Sequence, residues 1–389
     1  MTAVIYHGGP IFDGHDLRAD HALHIEAGKV AALGPLDQVR ATAQDAEQVD
    51  LNGDILSVGY VDLQLNGGGG VMLGDAPDKA TLHRMAQAHR SLGATHILPT
   101  LITDRPQVTR AAISEVRQAV AEGQAGILGL HLEGPHLSVA RKGAHDGALI
   151  RPMREEDLAE LVAAARDLPA LMVTVAPENV TLDQVRALVA AGAVVSLGHT
   201  DTDYQTAYAY FDAGARCATH LFNAMSGLGS RAPGVVGAAL DHPGVCAGVI
   251  ADGVHVHPAT LRLASRAKAG GIFLVSDAMA VAGTDLTGFQ LAGRQINRRD
   301  GRLTLSDGTL AGADLDLTTA VRIMHHQVGL PLAEALNAAT AAPACLIGAE
   351  PGIGRLEVGA PCELIRIRSD LSAARPVGPR DPQEGGHAG

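Results

Sequence analysis

Residues 171–198 read LMVTVAPENVTLDQVRALVAAGAVVSLG. A run of five residues, four of them apolar (171–175), precedes an Ala- and Leu-rich helical stretch (181–191) closed by Gly192, and a second largely apolar run (194–198) follows at once. Strand, helix and strand joined by short links make a βαβ unit, whose two strands lie parallel. The same unit recurs outward in both directions. Apolar runs fall at 56–63, 96–100, 127–131, 171–175, 194–198, 218–221, 247–250 and 272–275, with helical stretches at 78–92, 107–122, 155–167, 181–191, 204–213 and 258–269. Eight strands alternating with helices over about 220 residues predict an α/β fold, a closed (β/α)8 TIM-type barrel more than an open doubly wound sheet. The dinucleotide-binding glycine fingerprint is missing, because the four consecutive glycines at 67–70 lack its spacing.

The two ends of the chain have a different texture. Short strands and turns are expected at 4–6, 22–26 and 30–33, a β-hairpin around Asp300-Gly301 within 294–309, helices at 314–326 and 331–341, and short strands again within 352–368. The expected organisation is a barrel at 54–345 and a small β-sandwich domain formed from both chain ends, 1–53 and 346–389. Residues 371–389, rich in Pro, Gly and charge, read as a loose tail.

Composition limits the function classes. Of 389 residues, 30 are Lys or Arg and 42 are Asp or Glu, a net charge of −12. That is the wrong sign for neutralising phosphates along a nucleic acid or for binding an anionic membrane surface. Apolar residues make up 47% of the chain, enough for a large core. With five Tyr, five Phe and no Trp, there is little material for stacking bases or sugars, so a small ligand is expected to be held by charge and hydrogen bonds. Cys217, Cys246, Cys345 and Cys362 are scattered without a Cys-x-x-Cys pair, which reads as reduced thiols in the cytoplasm. Neither a secretory signal nor a run of about 20 apolar residues is seen.

In a barrel of this type the active site lies at the C-terminal ends of the strands. The polar residues at or just beyond those ends are Gln64, Asn66, Glu133, His199, His220, His255 and Asp277. Carboxylate and imidazole ligands from neighbouring strands form a three-ligand site for a divalent ion, with one position open to water. Asp277 is placed to take a proton from that water. Singly, each residue has a plainer reading as a helix cap, an ion-pair partner or a core histidine. Their convergence on one face is what argues for chemistry. His7, His15, His21, His83, His89, His325 and His326 fall outside it and read as surface or packing residues.

Six motifs stand in order along the chain: His131-Leu132-Glu133-Gly134-Pro135, Lys142-Gly143-Ala144-His145, Gly198-His199-Thr200, Thr219-His220-Leu221-Phe222-Asn223-Ala224-Met225, Asp252-Gly253-Val254-His255 and Ser276-Asp277-Ala278. Together, over about residues 54–360, the chain resembles the N-acetylglucosamine-6-phosphate deacetylases of the amidohydrolase superfamily. The resemblance implies metal-dependent hydrolysis of the acetamido group of N-acetylglucosamine 6-phosphate, giving glucosamine 6-phosphate and acetate, in amino-sugar catabolism or cell-wall sugar recycling. It implies one divalent ion per chain, Zn2+ first and Fe2+, Co2+ or Mn2+ as alternatives, held by Glu133, His199 and His220. Asp277 is implied as the residue that activates water and passes its proton to the departing amine, and His145 as the group that polarises the carbonyl oxygen. Gln64, Asn223, the backbone of Ala224, Arg231 and His255 match substrate-binding positions, as does His145. A homodimer is also implied, with Arg231 reaching the neighbouring subunit's site.

Two departures stand out. Two-metal members of the superfamily usually carry His-x-His after the first strand, where this chain has Gln64-Leu65-Asn66. Neutral amides are weak ligands for a transition metal, so one tight site is expected. His136 stands where an aromatic is common in the family. The competing readings are deacetylation of the galactosamine epimer, another metal-dependent amidohydrolase, and a barrel kept as a scaffold after losing catalysis. The last predicts damage to the ligand set or to Asp277, and neither is damaged.

Overall fold

The apolar runs become strands buried on both faces, as parallel strands covered by helices must be. In the quoted stretch, every residue of Leu171–Val175 and Val194–Leu197 is buried. The helix between them starts at a capping box: Gln184 N–H donates to Thr181 Oγ1 at 3.3 Å, and Thr181 N–H to Gln184 Oε1 at 2.9 Å. Val185 and Leu188 are its buried face.

The computed structural model describes residues 3–377. Its centre is a sheet of eight strands paired in chain order: β1 (Tyr60–Leu65), β2 (Ala94–Ile102), β3 (Leu130–Glu133), β4 (Leu171–Val175), β5 (Val194–Leu197), β6 (Cys217–Ala218), β7 (Cys246–Val249) and β8 (Ile272–Leu274). The helices that follow them in turn are α1 (Lys79–Ser91), α2 (Pro106–Ala121), α3 (Glu155–Asp167), α4 (Leu182–Ala190), α5 (Tyr204–Asp212), α6 (Gly234–Asp241), α7 (Pro258–Ala267) and α8 (Leu317–Ile323). β1 and β8 meet at their C-terminal ends, where Leu65 bridges Ala278 and Asp277 N–H donates to the Gln64 carbonyl at 2.9 Å. Lower down, Ala338 and Ala339 fill the gap, accepting from Leu274 N–H at 2.7 Å and Val61 N–H at 2.9 Å. The expected (β/α)8 barrel is thus present, with its seam tightest beside the site.

Several boundaries differ from those expected. The run 56–63, read as one strand, is broken at Gly59: Ile55–Val58 pairs with Leu364–Ile367, and only Tyr60–Leu65 enters the barrel. A Cβ on Gly59 would lie 1.9 Å from Thr95 Oγ1, so the chain crosses between sheets where only glycine fits. A helix for which no stretch was expected, α6, follows β6 at Gly234–Asp241. The tail reading of 371–389 fails at its start, because Ala374–Pro376 pairs with Leu364–Ile367; residues 378–389 lie outside the described residues.

Outside the barrel, one four-stranded sheet carries Val4–His7, His21–Glu26, Lys29–Pro35 and Glu47–Asp50. A five-stranded sheet joins Ile11–Phe12, Leu17–Arg18 and Ile55–Val58 to Leu364–Ile367 and Ala374–Pro376, so both chain ends share it. Tyr6, Ile11, Leu23, Val30, Leu56 and Leu364 form a common core. Between β8 and α8 a further antiparallel sheet (Gly288–Leu291, Arg294–Arg299, Arg302–Thr304, Leu310–Ala313) contains the expected hairpin. Asp300 and Gly301 turn it with φ of 52° and 69°, the positive values that a two-residue turn of this hand needs. No described helix is long and apolar enough to cross a membrane.

Candidate active site and metal centre

Glu133 is the last residue of β3, His199 lies two residues beyond β5, His220 two beyond β6, and Asp277 three beyond β8. His199, His220 and Asp277 have φ of 47°, 32° and 47°, a region that costs a non-glycine residue about 1–3 kcal/mol. Strand-like backbone would carry these side chains past the mouth; the left-handed turn brings them back over it. Other segments hold two of these turns in place: Ser138 N–H donates to the His199 carbonyl at 2.8 Å, and Ala313 N–H to that of Asp277 at 2.9 Å.

The donors meet closely. Glu133 Oε1 is 3.3 Å from His199 Nε2 and 3.1 Å from His220 Nε2, and the two Nε2 atoms are 3.0 Å apart. Ligands at about 2.0–2.1 Å from a tetrahedral ion stand roughly 3.3 Å from one another, so this set has the spacing of a divalent metal site. The tautomer agrees. His199 Nδ1–H donates to the Arg141 carbonyl at 2.8 Å, which leaves Nε2 with a free lone pair facing the other donors. Burial pushes the Glu133 carboxyl up, but the adjoining His199 and His220 rings, when protonated in place of a cation, outweigh it and hold it well below its usual range. Burial pushes His220 down, while Glu133 overcomes that and raises it, so a proton can sit where a cation would.

Glu133, His145 and His199 also place one ligand atom each within 4.8 Å of one another. His145 has the opposite tautomer from His199, however. Its Nδ1 accepts from Thr103 N–H at 3.3 Å and lies 2.8 Å from Thr103 Oγ1. A neutral ring then carries its proton on Nε2, the atom turned toward Glu133 at 3.9 Å, so His145 is a donor and not a ligand. Burial, the first cause, together with the His199 charge, pushes its pKa down to about 3 and keeps the ring neutral.

Asp277 faces these groups from across the barrel seam. Its Oδ1 accepts from Asn66 Nδ2 at 2.8 Å and Gln64 Nε2 at 3.4 Å, and Gln64 Nε2 also donates to Glu133 Oε1 at 3.1 Å. Both amides thus turn NH2 groups toward carboxylates, which leaves a second ion only neutral amide oxygens, weak ligands for a transition metal. Asn66 Oδ1 is buried with no partner, a spare acceptor at the cavity wall. Burial, then the Glu133 charge, pushes Asp277 up to about 6.

A cavity of about 400 Å³ is lined by Glu133, His145, His199, His220, Asn223, Ala224, His255 and Asp277, and the 288–313 sheet closes one side with Leu291, Leu310 and Gly312. Gln64 sits behind the lining, buried against Glu133 and Asp277. Arg231 is exposed on the loop before α6 and is not among the lining residues. His136 is not among them either; it is buried and donates Nδ1–H to the Arg151 carbonyl at 3.0 Å.

Thr103 and Arg141, which set the two histidine tautomers, were not legible in the sequence. Nor was the layer beneath the site. Barrel interiors are filled mainly by bulky apolar side chains, yet here His131 Nδ1–H donates to the Leu63 carbonyl at 3.0 Å and its Nε2 lies 2.8 Å from Thr174 Oγ1. Burial pushes His131 down to about 4, so the ring has one proton and the direction of the chain is set. Thr174 donates to His131, Thr219 to Thr174 at 2.8 Å, and Ser196 to Thr219 at 2.6 Å. The chain links β1, β3, β4 and β5 to Thr219, the residue next to the His220 ligand position. Thr219→Val should therefore cost about 1–3 kcal/mol in a denaturant titration, because it takes the acceptor from the buried Ser196 hydroxyl and the donor from Thr174 at nearly unchanged volume. A loss under about 0.5 kcal/mol, the range of surface substitutions, would argue against the chain. Asp62, also buried, accepts N–H groups from Gln64 at 3.2 Å and Ser276 at 3.3 Å, tying β1 to the turn that carries Asp277.

Residues 55–377 match the Amidohydrolase family. The chain is 39% identical over 368 residues to an N-acetylgalactosamine-6-phosphate deacetylase of Shewanella sp. (strain ANA-3), covering 94% of this chain and 92% of that one. Among solved structures it is similar to N-acetylglucosamine-6-phosphate deacetylase from Pasteurella multocida, with TM-score 0.90, 35% identity, and coverage of 95% and 97% of the two chains. It is also similar to an aspartate-to-alanine variant of the Mycobacterium smegmatis N-acetyl-D-glucosamine-6-phosphate deacetylase in complex with N-acetyl-D-glucosamine-6-phosphate, with TM-score 0.87, 31% identity and 96% of each chain covered. Matched over nearly all of its barrel, and carrying carboxylate and imidazole donors at the ends of β3, β5 and β6, this chain belongs to the amidohydrolase family.

Proposed function

We propose that this protein hydrolyses the acetamido group of N-acetylglucosamine 6-phosphate to glucosamine 6-phosphate and acetate, within amino-sugar catabolism. The observation that carries this reading is the convergence of Glu133, His199 and His220 donors within 3.3 Å of one another, with Asp277 beside them. Its relatives of known name, which match over nine-tenths of both chains, support the substrate class.

A divalent cation held by Glu133, His199 and His220, with zinc the first choice for two nitrogens and one carboxylate, supplies an acidified water and a Lewis acid. The chain's own residues do the rest. Asp277, steadied by Asn66 and Gln64 and raised by burial, accepts a proton near neutral pH and returns it to the nitrogen of the departing amine. His145, with its proton on Nε2, donates to the oxygen of the acetamido carbonyl as negative charge grows there. Asn223, the Ala224 backbone and His255 line the remaining wall and hold the sugar phosphate.

Arg231, exposed and away from its own cavity, is read as the phosphate contact supplied to a second subunit of a homodimer. Arg231→Ala should raise KM for the phosphorylated sugar by about 10–100-fold, as loss of a charged hydrogen bond does, and leave the unphosphorylated sugar nearly unaffected. Equal losses on the two would remove the phosphate role. A cytoplasmic location is proposed with it, from the four unpaired cysteines.

The 39% identical galactosamine relative keeps one second reading in view, the 4-epimer of the same sugar phosphate. Acetate release from the 6-phosphates of N-acetylglucosamine and N-acetylgalactosamine, followed side by side, tests both. A higher kcat/KM on the former is expected; a higher value on the latter transfers the assignment to the epimer, and release from neither ends it.

A further inference from the structure

Beyond β7 the chain runs through Asp252-Gly253-Val254-His255, and the carboxylate of Asp252 is saturated by its own loop. Oδ1 accepts from the backbone N–H groups of Val254 at 2.8 Å and His255 at 2.7 Å, while Oδ2 lies 2.6 Å from His255 Nδ1. Gly253, with φ of 73°, makes the tight turn that lets one carboxylate reach all three. The two side chains are 5% and 9% exposed, so the pair is shielded, yet His255 still lines the catalytic cavity.

Proton placement on the ring follows from this geometry. A carboxylate can only accept, so Nδ1 carries hydrogen and Nε2 is the atom left for the cavity. In the neutral ring that Nε2 is a bare lone pair, which repels a phosphate oxygen. Only the imidazolium form presents an N–H there. Besides Asp252, the charged or titratable groups around the cavity are Asp277, Glu133, His199, His220, His145 and Arg141. A second carboxylate, Asp277, lines the same cavity as the ring. Burial raises the Asp252 carboxyl, but the hydrogen bond to His255 and the charge of that ring when protonated prevail and lower it.

We propose that Asp252 is a positioning residue for substrate recognition, holding His255 as a cation with Nε2–H aimed into the cavity, where it selects a dianionic phosphate ester over a neutral sugar. The proposal rests on the reading of His255 as a phosphate contact. It adds a requirement that reading lacks, namely that a residue which never touches the sugar decides whether the contact is a charged donor or a lone pair. Charged hydrogen bonds are roughly twice as strong as neutral ones, so the discrimination depends on Asp252 more than on the shape of the wall.

The test measures kcat and KM of the metal-loaded enzyme for N-acetylglucosamine 6-phosphate and for N-acetylglucosamine, in the unmodified protein, Asp252→Asn and His255→Asn. The expected result is a KM for the phosphorylated sugar raised about tenfold or more in both variants, kcat within about threefold, and no comparable change for the unphosphorylated sugar. Should His255→Asn raise KM while Asp252→Asn leaves it unchanged, the proposal is overturned and the phosphate reading stands. No effect from His255→Asn removes that reading and the proposal with it. Equal losses on both sugars in Asp252→Asn would reduce Asp252 to a turn residue and overturn the proposal as well. If Asp252→Asn does not fold, Asp252→Ser takes its place: a serine hydroxyl still accepts from the Val254 or His255 N–H but supplies no charge to Nδ1, and the same outcomes apply.

Discussion

Asp277→Asn is expected to lower kcat by about 10²–10⁴-fold and to leave KM within a few-fold. The substitution is nearly isosteric. An asparagine oxygen can still accept from Asn66 and Gln64, whose NH2 groups lie 2.8 and 3.4 Å from Asp277 Oδ1, so the cavity wall should keep its shape. What disappears is the one carboxylate able both to take a proton from water and to deliver it to the amine. Because the carboxyl is pushed up to about 6 by burial and by Glu133, it exchanges protons near neutral pH more readily than an ordinary aspartate. Steady-state kinetics on the phosphorylated sugar settle the matter. A variant with kcat intact and KM raised would make Asp277 a binding group and remove its catalytic role.

His220→Ala should bring the bound metal from about one ion per chain to near zero and lower activity by about 10³-fold or more. Loss of the cation's charge stabilisation is worth several kcal/mol, and each 1.36 kcal/mol is a decade in rate. His220 Nε2 stands 3.1 Å from Glu133 and 3.0 Å from His199, and its removal leaves two donors where three are needed. Metal analysis of the purified protein checks the count. Two tight ions in the unmodified protein would contradict the reading of Gln64 and Asn66, whose neutral amides are weak ligands for a transition metal. Chelation should also lower the melting temperature, since a ligand that binds only the folded state stabilises it by mass action.

What was legible beforehand was local. Helices expected at 155–167 and 181–191 appear as Glu155–Asp167 and Leu182–Ala190, because amphipathic periodicity and capping are encoded within the helix itself. The break at Gly59 was illegible because an unbroken apolar run looks alike whether it lies in one sheet or crosses between two; the cause is Thr95, 36 residues away in sequence. The strand Ala374–Pro376 was hidden in a Pro- and Gly-rich context, since its partner, Leu364–Ile367, is what gives it a ladder. α6 escaped notice behind the glycines at 227, 229, 234 and 237.

The site divides along the same line. By itself the sequence determined which chemical groups stand at the strand ends: Glu133, His199, His220, His255 and Asp277, on a βα repeat that must carry them to one face. It also determined that Gln64 and Asn66 replace a histidine pair. Only the tertiary structure decided how those groups are used. The proton on His199 is placed by the Arg141 carbonyl and that on His145 by Thr103, residues 58 and 42 positions away. Of the left-handed turns, those at His199 and Asp277 are held by Ser138 and Ala313 from other segments. Residue type and spacing are properties of one segment, whereas tautomer, backbone strain and ligand convergence depend on which distant carbonyls, hydroxyls and amides the closed barrel brings within 3 Å or so.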